Sequence, residues 1–135
     1  MQSTLVVTLV LHVLSGVFWA GSTFTLARAG GVGAEKLFRP QMGAAVIAVV
    51  TGGVLWHLVH SGSPGKTEYI LAIGALAAIV AAGVQGMGVG RAIRMLVRAD
   101  QAEVSRLQSR MAVAERVAAV LLMVAVICMA AARYA

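Results

Sequence analysis

The chain has 135 residues, 60% of them hydrophobic and 12% charged, with a mean hydropathy of +0.90. A soluble domain carries about 25% charged residues, so composition points to an integral membrane protein, and the length allows one domain over 1–135. A single cysteine excludes an intrachain disulfide and a cysteine metal cluster. The net charge of +6 reads as basic connections between spans rather than nucleic-acid binding, because no basic module interleaved with aromatics is present.

Four apolar spans are expected, at about 3–28, 41–61, 67–90 and 111–133, giving an all-α, four-helix transmembrane bundle. The first is uncharged from Leu5 to Ala27, long enough to cross a bilayer. It lacks the basic start of a secretory signal and reads as a retained span. Thr8, His12, Ser15, Trp19 and Ser22 recur at steps of four, three, four and three, which places them on one helix face. An ionisable imidazole inside hydrocarbon marks a functional-site candidate, so His12 is the residue to explain. Gly16 lies one turn further on.

The connection from Ala29 to Pro40 holds Gly30, Gly31, Gly33 and Pro40, all helix punctuation. The second span runs to the turn Ser61-Gly62-Ser63-Pro64-Gly65. The third carries Gly74, Ala78, Ala82, Gly86 and Gly90 at four-residue steps, a spacing that lets helices approach closely in lipid and suits a homodimer face. Gln85 is its one clearly polar mid-span residue, read as glue between helices or as the wall of a quinone pocket. The fourth span is uncharged only over 117–132, roughly 24 Å of helix.

Apolar stripes continue beyond the third span (Ile93, Leu96, Val97) and ahead of the fourth (Val104, Leu107, Met111). They predict a helical hairpin over about 91–115, with its turn near Ala99-Asp100 and a capping box at Asp100 and Glu103. Glu115 and Arg116 are expected to pair at the interface. Nine basic residues fall in the first and third connections and only Lys66 and Arg133 on the opposite side. By the positive-inside rule both termini lie outside and the hairpin extends into the cytoplasm of a bacterial-type inner membrane.

All three histidines fall toward the outer side. Helix rise places His12 roughly 10 Å deep and His57 roughly 6 Å deep, so the two could face one another across an antiparallel pair, with His60 nearer the surface. Two facing imidazoles are the usual axial set of a membrane haem b. Gly16 and Gly53 leave room, and Trp19 and Trp56 offer flat apolar surface. A plain hydrogen bond from His12 to a Ser or Thr is the structural alternative. A copper site is a third reading: Cys128 and Met129 lie at a depth comparable with His57, and thiolate, thioether and imidazole suit Cu(I). No phosphate loop, nucleophile triad or pair of buried carboxylates occurs.

His12, Trp19, Gly21, Phe24 and Arg28, in HVLSGVFWAGSTFTLAR, resemble the first helix of the HemJ/CopD-like group of small membrane proteins. Met42, Gly52, Gly53 and Trp56 are similar to that group's second helix, and Gly90-Arg91 has a counterpart at the end of its third. The resemblance implies a four-helix bundle binding haem b, with His12 at the position of the family's first-helix histidine. It also implies an oxidoreductase, a protoporphyrinogen IX oxidase on the HemJ side, or copper uptake on the CopD side. The HemJ branch has an important Lys near the start of the third helix. Here Ile70 takes that place and Lys66 lies one turn earlier. The expectation is a haem b cytochrome exchanging electrons between a small outer-side partner and the quinone pool.

Overall fold

The computed structural model describes residues 2–60 and 62–135, and these form four helices: α1 (Gln2–Arg28), α2 (Ala34–Val59), α3 (Lys66–Leu96) and α4 (Gln101–Ala132). All four are long and apolar enough to span a membrane. Within α3 the five residues Gln85–Val89 form a π turn between two α-helical stretches. The predicted end of the second span at Ser61 lies outside the described residues.

Local chemistry sets the ends of the helices. After Arg28 the chain turns through Gly30, Gly31 and Gly33, all with positive φ (66°, 80° and 86°), a region side chains resist. This turn is tighter than the sequence suggests, so α2 begins at Ala34 and Pro40 lies inside it rather than in the connection. Pro40 is exposed, and the one helical hydrogen bond it forfeits costs least there. The Glu68 carboxylate accepts from the Gly65 N–H at 2.8 Å and fixes the start of α3. Asp100 Oδ1 accepts from the Glu103 N–H at 2.9 Å, which caps α4 where the capping box was expected.

Successive helices are antiparallel, as the pairings require. Along α1 and α2, His12 meets Ala48 while Thr23 meets Gln41. Along α3 and α4, Gly74 abuts Cys128 and Ala125, Gln85 meets Glu115 and Gly88 abuts Ala114. The interior is built from small residues, while large ones such as Val17, Ile47, Leu76 and Val120 stay exposed. That inversion of a soluble core is what lipid favours: tails are as apolar as Leu, so helices gain by close packing rather than by hiding apolar surface.

Two apolar clusters stack along the bundle axis. One joins Trp19, Ala44, Ala45, Ala48, Ala81, Ala118 and Leu122. The other joins Leu26, Ala34, Val89, Ala92, Leu107, Met111 and Ala114, with Phe38 packed against it. The second cluster shows that the base of the α3–α4 hairpin is docked. The α1–α2 connection lies across it, so close that a Cβ on Gly31 would come within 2.8 Å of the Gln108 carbonyl.

Candidate functional site

The polar stripe of α1 does face the bundle. Thr8, His12, Ser15 and Ser22 are half-buried and Trp19 is buried. The hydroxyls of Thr8, Ser15 and Ser22 close onto carbonyls one turn back along their own helix. His12 instead reaches across to α2, where its Nδ1 lies 2.8 Å from the Ala48 carbonyl oxygen and 3.2 Å from Thr51 Oγ1. A carbonyl can only accept, so Nδ1 carries the hydrogen. In the neutral ring this leaves Nε2 with a free lone pair, and Nε2 has no hydrogen-bond partner among the described residues. Gly52 makes the contact possible: a Cβ there would lie 3.1 Å from His12 Cε1. The imidazole itself therefore fills the gap between α1 and α2 at this level.

His57 is exposed and does not face His12. His12 is level with Ala48–Gly52, whereas His57 lies five residues beyond Gly52, about 7.5 Å further along the helix and on another face. The sequence put His12 roughly 10 Å and His57 roughly 6 Å deep, near enough for modest tilt to bring them together. The difference arises because α1 is already helical at Gln2, which places His12 about 15 Å from its start. His60 stacks on Trp56 with ring centroids 4.9 Å apart, and its Nε2 is 3.6 Å from Glu68 Oε1. It ties the end of α2 to the start of α3 across the turn. Gly16 and Gly53 have no atom within 4 Å of where a Cβ would stand, so space is open beside both.

On α4, Cys128 is half-buried and its Cβ packs on Gly74, while Met123 and Met129 are exposed. Among the described residues no three of His, Cys, Asp and Glu come together as a metal-binding group.

A second polar centre lies between the two apolar clusters and draws on all four helices. Thr23 of α1, Gln41 of α2, Gln85 of α3 and Glu115 of α4 are each fully buried, and Trp19 is 2% exposed. Trp19 Nε1 donates to Gln85 Oε1 at 2.7 Å. The Thr23 hydroxyl donates to the Trp19 carbonyl at 2.7 Å, so its oxygen receives hydrogens from Gln41 Nε2 (3.0 Å) and Gln85 Nε2 (2.9 Å). The same two amide nitrogens approach Glu115 Oε2, at 3.4 Å and 2.8 Å. Gln41 Oε1 and Glu115 Oε1 are buried without a partner.

The layer changes the reading of Glu115 and of Trp19. Glu115 does not pair with Arg116: Glu115 is buried, Arg116 is exposed, and among the described residues no Lys or Arg lies within 4 Å of an acidic oxygen. Adjacent residues on a helix are 100° apart and do not share a face. Gln85 has all its hydrogens bonded within the protein, so it joins helices rather than lining an open pocket. Trp19 spends its N–H on Gln85 and is buried, so it offers no flat surface to a cofactor. Sequence reasoning missed Gln41 and the layer as a whole. Its members come from four helices at spacings that follow no motif, and the one available signal was uncharged polarity at a shared depth.

Comparison with known proteins gives no match to the chain among family models, curated proteins or solved structures.

Proposed function

We propose that the protein is a haem b-binding cytochrome of a bacterial-type inner membrane, with both termini outside and the hairpin in the cytoplasm. It would exchange electrons between a small outer-side partner and the quinone pool. The observation that carries this reading is the state of His12. Its Nδ1–H is held by a backbone carbonyl and its Nε2 is left free, which is how proteins fix the tautomer and orientation of a metal-ligating imidazole.

Of the three histidines, His12 is the one the structure orients to hold haem. His12 binds and Ala48 and Thr51 orient it. His57 is exposed and unpartnered, and so is free to ligate, while His60 is already engaged by Trp56 and Glu68. Gly16 and Gly53 leave room, and Phe18 and Trp56 present exposed aromatic surface, that would help to hold haem. Haem, when bound, supplies one-electron chemistry. The chain's own part is to hold the ring, keep water away with the surrounding Val and Leu, and offer a lipid-facing path to a quinone. A homodimer belongs to the same reading: Gly21, Gly83 and Gly86 also have no neighbour within 4 Å of a Cβ and leave smooth surface for a second copy.

The test is the absorption spectrum of the detergent-purified protein, as isolated and after dithionite, with metal analysis of the same sample. A Soret band with sharp reduced α and β bands is expected, lost in His12→Ala. Full haem occupancy in His12→Ala overturns the ligand assignment. A colourless protein with stoichiometric copper replaces haem with the copper reading.

A further inference from the structure

The polar layer is one hydrogen short. Its donors are the Trp19 indole, the Thr23 hydroxyl and the two amide NH2 groups of Gln41 and Gln85, and every one of their hydrogens is directed to an acceptor within the layer. Thr23 Oγ1 donates to the Trp19 carbonyl and so can only receive from the two amides, which sets the orientation of both. Two buried oxygens, Gln41 Oε1 and Glu115 Oε1, then have no donor. Both belong to groups already in contact, since Gln41 Nε2 is 3.4 Å from Glu115 Oε2. Buried polar groups without a partner are rare and costly, and a buried charge without a counter-ion is costlier still.

We propose that Glu115 is a proton-binding site: the carboxyl takes up one proton on Oε1 and donates it to Gln41 Oε1. The step forms one O–H bond, breaks none in the protein and discharges the carboxylate. It satisfies both orphaned oxygens at once. The groups bonded to Glu115 are Gln41 from α2 and Gln85 from α3, and those amides bond in turn to Thr23 and Trp19 of α1, all neutral. Arg28, Arg39, Arg91 and Arg116, the basic residues nearest to these in sequence, are exposed, and no ion pair reaches Glu115 among the described residues. A metal cation is a poorer occupant, because Ca²⁺ or Mg²⁺ takes about six or more oxygens and the layer has two to give. Gln85 also opens the π turn, a rare helix form that concentrates at functional sites. The proton site stands independently of haem binding.

The experiment is infrared spectroscopy of the full chain in lipid at pH 7, with H2O exchanged for D2O. The chain has five acidic residues, and Glu115 is the buried one among them: Glu35, Asp100 and Glu103 are exposed, and Glu68 accepts from the Gly65 N–H. One C=O stretch of a neutral carboxylic acid is expected, moving down on deuteration and absent from Glu115→Gln. No such band in the wild type, or a band that persists in Glu115→Gln, overturns the proposal. The substituted amide can itself donate to Gln41 Oε1, so this variant is expected to assemble. Its melting temperature should fall less with rising pH than that of the wild type, whose folded state holds at Glu115 one proton more than the unfolded chain. If Glu115→Gln fails to assemble, Gln41→Ala keeps the carboxyl and removes its acceptor. The band should then stay and move to higher frequency, and an unmoved band overturns the shared proton.

Discussion

At the scale of single residues, glycines in equivalent-looking positions do different work. Gly52 and Gly53 are adjacent in α2, yet a Cβ on Gly52 meets His12 Cε1 at 3.1 Å and a Cβ on Gly53 meets nothing within 4 Å. Gly52→Ala is therefore expected to push the imidazole off the Ala48 carbonyl, at a cost of about 1–3 kcal/mol from overpacking. Gly53→Ala should be neutral or gain up to about 1 kcal/mol of helix propensity. Thermal unfolding of the two variants in detergent, with the ¹⁵N shifts of His12 as a report on its tautomer, separates them. Equal melting temperatures and unchanged His12 shifts would show that the ring is not wedged against α2. The same scale shows what a sequence can and cannot reveal. The inward stripe from Thr8 to Ser22 is readable because one helix period fixes it. The partner of His12 is not, because nothing in the local pattern says that residue 12 is level with residue 48. Glu115 is harder again: beside Arg116 and close to the basic hairpin it looks like an interfacial acid, and only the rotation of α4 turns it inward.

At the scale of elements, four apolar helices and the α4 cap were legible, since apolar length and punctuation are local properties; the start of α2 at Ala34 was not, because Pro40 lies inside the helix. Register between helices was not. The four-step series Gly74, Ala78, Ala82, Gly86 and Gly90 drifts about 40° per step around a helix of 3.6 residues per turn. Packing instead selects Gly74, Ala77, Ala81 and Gln85 as buried positions, and leaves Gly86 exposed. The π turn that begins at Gln85 then shifts the phase, so that Val89, Gly90 and Ala92 face inward. The α1–α2 connection shows how an element can be anchored from outside. Gly30 and Gly31 both have positive φ, but only Gly31 lies against another helix, 2.8 Å from the Gln108 carbonyl and 3.0 Å from the Ala112 nitrogen as measured from a built Cβ. Gly30→Ala should cost about 1–2 kcal/mol of backbone strain alone. Gly31→Ala should cost more and loosen the hairpin, seen as faster amide exchange over residues 104–112 in that variant only. Equal exchange in both variants would mean that the connection does not clamp α4.

At the scale of the whole molecule, the polar centres and the charge divide the bundle along its axis. His12 and the His60–Glu68 pair lie toward the end that carries the termini and the turn at 62–65. The buried Glu115 layer lies toward the end that carries the hairpin. The charges are just as uneven, with Arg28, Lys36, Arg39, Arg91, Arg94, Arg98, Arg106, Arg110 and Arg116 toward the hairpin end and only Lys66 and Arg133 toward the other. Basic residues resist translocation, so the hairpin end should face the cytoplasm, which would put His12 within reach of the outer surface and Glu115 near the inner one. Single cysteines test this directly. The chain has one cysteine, Cys128, whose Cβ packs against Gly74, so Cys128→Ser is the conservative background. On it, Ser63→Cys and Tyr134→Cys, both exposed, should react with a membrane-impermeant maleimide in intact cells. Val97→Cys, 85% exposed at the hairpin turn, should react only after the cells are opened. The opposite pattern would invert the bundle, place His12 on the cytoplasmic side and make outer-side electron exchange untenable, while leaving the proton site intact and supplied from the other compartment.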